Sequence, residues 1–147
     1  MIDINNDLLL RKILMKHFLA PDHKTANFDT NLAIKHLKSN TCADQLTIQV
    51  EIVNKIIKLI KFDGSACVVA TSSTDILIDQ LINKTIKQAK ELLFKYQEFL
   101  NSGKLPADFD LDQLVVFKNL YKQKSRIGCA SLMIEPLLEL FFEYEQN

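Results

Sequence analysis

The chain has 147 residues, 48% of them hydrophobic, and its 18 basic and 18 acidic side chains cancel to a formal charge of zero. That length suits one domain spanning residues 1–147 around one core, and a balanced charge lacks the broad positive field with which a chain attracts nucleic acid or an anionic membrane. No apolar run approaches the roughly 20 residues of a membrane span, and the start lacks a basic-then-apolar signal pattern, so the expectation is a cytoplasmic protein with protein or small-molecule partners.

In chain order, Leu9, Leu10, Ile13, Leu14 and Phe18 recur at three- and four-residue spacing after Asn6 and Asp7. This stripe marks an amphipathic helix that stops before Pro21. Residues 21–31 are polar without a sustained period and are expected to be a loop. The next piece, "NLAIKHL", is open between a short turn and an extended segment. From Leu46 the even positions Leu46, Ile48, Val50 and Ile52 are apolar and the odd ones polar, the pattern of a strand with one buried face. Asn54 and Lys55 then suggest a turn into a second strand over 56–62. "DGS" at 63–65 reads as another turn, and the apolar run "ACVVAT" as a third strand.

The period then becomes helical. Ser72 with Asp75, and Thr85 with Gln88, each resemble a capping box, in which a hydroxyl satisfies free amides at a helix start. They predict one helix from Ser72 to about residue 81 and another over 86–100 that ends near Gly103. Asp110 and Gln113 suggest a cap for a helix over 111–121. A last helix is expected over 130–144, with Pro136 either kinking it or marking the first turn of its main part. Phe94, Phe117 and Phe141 fall at helical spacing and are read as core. The expected fold class is α+β: a three-stranded antiparallel sheet with helices packed on one face.

Three cysteines cannot all pair with one another, and without an export signal a disulfide framework is the wrong reading. Cys42 precedes the first strand, Cys67 opens the segment read as the third, and Cys129 stands at the start of the last helix. All three fall at element ends, where distant parts of a chain can meet at one rim of a sheet. Asp44 shares a face with Cys42 if that segment is extended. Three thiolates and a carboxylate would make a tetrahedral set suited to Zn²⁺. Spacing alone leaves the other reading open, with each cysteine a small core side chain.

"TCADQLTIQV", "IKFDGSACVVATSS" and "SRIGCASL" together resemble the U-type iron-sulfur cluster assembly family, relatives of IscU and of the amino-terminal domain of NifU. The family pattern is approximately N-P-T-C-G-D, then F-x-G-x-G-C-A-I-S-x-A-S, then a cysteine followed by Ala-x-Leu. "ILMKHFLAP" is similar to the family's first helix, with His17, Phe18 and Pro21 matching its "DHY..P" ending. The IscU branch has a histidine before the last cysteine and a Leu-Pro-Pro-Val-Lys loop. Here Gly128 stands before Cys129, no such loop occurs, and the segment from about residue 103 to 124 supplies an extra helix, as in the SufU branch. Arg126, Cys129, Ala130 and Leu132 fit that branch's ending.

The resemblance implies a SufE/NifU-like fold and a zinc site of Cys42, Asp44, Cys67 and Cys129. It also implies a sulfur-accepting role for Cys42, whose donor would be a SufS-like cysteine desulfurase and whose product would go to downstream iron-sulfur assembly or acceptor proteins. A second reading keeps the same ligands but assembles a [2Fe-2S] cluster on them, since thiolates suit both metals. A thiol hydrolase using Cys42 with His17, His23 or His36 as base lacks a motif for either the base or an oxyanion hole. His17 is read as a packing or partner-face residue, and His23 and His36 as loop or surface residues.

Overall fold

The computed structural model describes residues 2–29, 31–38 and 44–146. Helix α1 (Asp7–Leu19) opens at Asn6, whose side chain accepts the Leu9 amide at 3.1 Å, and it ends before Pro21 as its stripe predicts. Strands β1 (Ala33–Lys38), β2 (Gln45–Val53) and β3 (Ile56–Ser65) follow. They form one antiparallel sheet in the order β1-β2-β3. Helices α2 (Val68–Leu81) and α3 (Ile86–Ser102) come next, then two 3-10 segments (Asp112–Phe117 and Leu120–Lys122), and finally α4 (Lys124–Ala130) and α5 (Ile134–Glu145).

The α+β class and the three-stranded sheet stand, but the strands differ from the expected set. The β2–β3 hairpin turns at Asn54 and Lys55, both with positive φ (53° and 63°), which matches the two-residue turns that suit the twist of paired strands. The extended piece left open at 33–38 is the third strand, pairing Leu37 with Leu46 and Ala33 with Val50. "DGS" is no turn: β3 runs on through it, with Gly64 opposite Leu46. Gly64 (φ +128°) is required there, because a Cβ would stand 2.3 Å from the Gln45 carbonyl oxygen. "ACVVAT" is therefore helix entry rather than strand.

The core lies between the sheet and the helices. Leu46, Ile48, Val50, Ile60 and Phe62 from the sheet are buried with Ile76, Leu77, Leu92, Tyr96, Leu137 and Phe141 from the helices. The capping box at Thr85 and Gln88 is present in both directions, and Gly103 ends α3 in the left-handed conformation (φ 73°). Residues 112–122 are 3-10 turns rather than the single helix expected there, and Pro136 falls in the first turn of α5, where its missing N–H costs nothing. Phe117 and Phe141 are core, whereas Phe94 points to solvent at 56% exposure. Among the described residues no helix is long and apolar enough to cross a membrane.

Candidate metal centre

Asp44 stands immediately before β2, and Gln45, the first residue of that strand, pairs with Ser65 at the end of β3. Two residues beyond Ser65 the chain turns into α2 at Cys67. The end of the hairpin thus brings Asp44 and Cys67 together across 23 residues. The Cys67 amide donates to Asp44 Oδ1 at 2.7 Å, and its Sγ lies 3.6 Å from Oδ2. Cys67 is the N-cap of α2, its sulfur accepting the Ala70 amide at 3.4 Å, the place usually filled by a serine, threonine or aspartate oxygen. It does not open a strand, as expected from the apolar run after it.

Cys129 arrives from the other side. It sits in the last turn of α4 ahead of α5, fully buried, with Sγ 3.9 Å from the Ser125 carbonyl oxygen one turn earlier. α4 packs on α2. Asp44, Cys67 and Cys129 therefore converge, each offering one donor atom, with all three atoms within 4.8 Å of one another. Three of the four expected ligands are assembled. Cys42 lies outside the described residues.

Two thiols and a carboxylate suit zinc in kind, and nearly in spacing. With sulfur at about 2.3 Å and oxygen at about 2.0 to 2.2 Å, neighbouring donors of a tetrahedral site stand about 3.5 Å apart, and Cys67 Sγ and Asp44 Oδ2 are 3.6 Å apart. Asp44 is 2% exposed. A carboxylate buried that deeply needs a compensating partner; the Cys67 amide supplies one hydrogen bond, and a bound cation would supply the charge.

The histidines are engaged elsewhere. His17 is buried, its Nδ1 2.6 Å from Asp75 Oδ2 and its Nε2 2.6 Å from Gln113 Oε1. Asp75 is wholly buried and also accepts the amides of Asp22 (3.1 Å) and His23 (2.9 Å). His23 Nε2 lies 2.5 Å from Asp79, and His36 Nδ1 3.1 Å from the Thr47 hydroxyl. His17, Asp22 and Asp79 also lie close enough to hold an ion, but Lys16 pairs with Asp22 and both His17 nitrogens already have partners. The Lys16 contact holds the Asp22 carboxyl below its ordinary range. This cluster is a clamp that ties α1 and the loop after it to α2. Ser72 and Asp75, read as a capping box, lie in the interior of α2 instead, Asp75 in this clamp and Ser72 donating to the Val68 carbonyl.

A family model described as "NifU-like N terminal domain" matches residues 10–133. The zinc-dependent sulfurtransferase SufU of Bacillus subtilis (strain 168) is 23% identical over 133 residues, covering 90% of this chain and 89% of that protein. The iron-sulfur cluster assembly scaffold protein IscU of Streptococcus pyogenes serotype M1 is 26% identical over 131 residues, covering 89% of this chain and 81% of that one. Among solved structures, a putative iron-sulfur cluster assembly scaffold protein for the SUF system from Fervidobacterium islandicum AW-1 superposes with a TM-score of 0.73 at 22% identity. The superposition covers 92% of this chain and 98% of that one.

Proposed function

This chain belongs to the NifU-like N-terminal domain family, and we propose that it serves iron-sulfur cluster assembly as a zinc-dependent sulfurtransferase. Cys42 accepts sulfur from a SufS-like cysteine desulfurase in the cytoplasm and passes it to downstream assembly or acceptor proteins. The observation that supports this most is the convergence of Asp44, Cys67 and Cys129 from three separate elements onto one point. Chain connectivity adds to it: Cys42 is two residues from Asp44, in the connection from Lys38 to β2.

Zinc, when held by Cys42, Asp44, Cys67 and Cys129, supplies a positive charge that favours the thiolate form of its cysteines at neutral pH. The chain's own part is one displacement. The Cys42 thiolate attacks the outer sulfur of the desulfurase persulfide, a new S–S bond forms on Cys42, the donor's S–S bond breaks, and its electron pair leaves with the desulfurase cysteine as thiolate. Asp44 and Cys67 are tied to each other by two contacts and Cys129 is fixed in a buried helix turn. Three ligands thereby keep their places while Cys42 takes up sulfur.

Incubating the chain with a cysteine desulfurase and radiolabelled cysteine tests this reading. Label should move onto this chain in a form that a thiol reductant removes. Label confined to the desulfurase would contradict it.

A further inference from the structure

Tyr96 occupies the middle of α3 and is wholly buried, yet its polar end is placed with care. Its hydroxyl donates to the Ala130 carbonyl at 3.0 Å. Ala130 is the last residue of α4 and the neighbour of Cys129. The final carbonyls of a helix have no partner within it. Here the Ile127 carbonyl takes the Ser131 amide (2.9 Å) and hydroxyl (2.8 Å), and the Ala130 carbonyl takes the phenol.

The Ser73 hydroxyl of α2 lies near the phenol and donates to the Ala70 carbonyl at 3.2 Å. Ser73 lies six positions into the helix that Cys67 caps. The buried hydroxyl on α3 therefore holds the end of α4 at the residue next to Cys129. Phe117 packs near the ring, centroids 6.3 Å apart and tilted at 53°. Burial pushes the Tyr96 hydroxyl well above its ordinary pKa, with the Ser73 contact acting the other way. It is a neutral donor throughout the physiological range.

We propose that Tyr96 is a positioning residue of the metal centre: by donating to the Ala130 carbonyl, its hydroxyl fixes the end of α4 and so the place of Cys129 opposite Cys67 and Asp44. This rests on the ligand set assigned above. A phenylalanine would fill nearly the same core volume, but only the hydroxyl can satisfy the Ala130 carbonyl. Removing it leaves a buried acceptor unpaired, and α4 relieves that by turning, which moves Cys129. Outer partners that orient ligands in this way commonly govern metal affinity by roughly 10- to 100-fold.

The test is Co²⁺ titration of the metal-free chain, in competition with a chelator, for wild type, Tyr96→Phe and Phe117→Leu. Tyr96→Phe should keep its far-ultraviolet circular dichroism, bind Co²⁺ roughly 10- to 100-fold more weakly and show a displaced thiolate-to-cobalt charge-transfer band. Phe117→Leu perturbs the same core without touching the hydroxyl, and should lower the melting temperature while leaving affinity and spectrum unchanged. In a Cys129→Ser background the Tyr96→Phe effect should vanish. A Tyr96→Phe chain with wild-type affinity and spectrum would overturn the proposal. So would one that unfolds without metal, because the hydroxyl would then serve the fold as a whole. A wild-type chain that takes up no Co²⁺ would instead remove the ligand set itself.

Discussion

Cys42→Ala is expected to abolish stimulation of a cysteine desulfurase, leaving only the rate of the desulfurase alone, while the chain stays folded. The reason is the division of labour proposed above for the four candidate ligands. Asp44, Cys67 and Cys129 are anchored: the carboxylate accepts the Cys67 amide, Cys67 caps α2, and Cys129 is fully buried. None of those contacts involves Cys42. Removing its sulfur deletes the proposed nucleophile and leaves those three anchoring contacts in place. Asp44→Ala should act differently, weakening metal retention, because it takes away both a ligand and the acceptor for the Cys67 amide. The check is the rate of sulfide or alanine production with and without each variant, beside a thermal melt. Full stimulation by Cys42→Ala would move sulfur acceptance to another residue, the half-buried Cys67 first.

The largest effect on stability is expected at Asp75, remote from the chemistry. Its carboxylate, wholly buried, meets His17 at 2.6 Å and accepts two backbone amides from the loop after α1. Asp75→Ala strands the buried imidazole and both amides at once. Losses of this kind cost on the order of 3 kcal/mol, which in a domain of this size lowers the melting temperature by roughly 6 to 12 °C. Asp75→Asn keeps an acceptor and should lose about half as much. Metal stoichiometry, read on the folded variant, should not change, because none of the anchored ligands belongs to the clamp. An unchanged melting temperature for Asp75→Ala would show that His17 and the loop are held by other contacts.

How far the sequence discloses this protein depends on the range of each interaction. The β2–β3 hairpin, the cap at Thr85 and the stop at Gly103 rest on neighbours a few residues apart, and all three stand in the structure. The candidate ligands stood out through their resemblance to a family pattern, where spacing alone left two readings, and Asp44, Cys67 and Cys129 lie together in the structure. What failed was periodicity where burial is uniform. In α2 every residue from Ala70 to Ile78 is buried, so its apolar residues show no stripe, and its β-branched start imitates a strand. Cys67 as a cap escapes rules that look for an oxygen. In contrast, β1 is an edge strand with one buried residue, Leu37, and carries almost no alternation to read. The His17 and Asp75 clamp spans 58 residues, and the contact of Tyr96 with Ala130 spans 34. No local pattern encodes either, although an aspartate amid the small hydroxyl residues of "ATSSTD" was a signal that something polar must meet it.

The most direct test of the central claim is the metal and acid-labile sulfide content of the protein purified without oxygen, read with its visible absorbance. The sulfur-transfer reading requires about one zinc per chain in a colourless sample, on tetrahedral sulfur and oxygen ligands. Iron and sulfide in equal amounts in a brown sample would contradict it and make the same cysteines the seat of a [2Fe-2S] cluster.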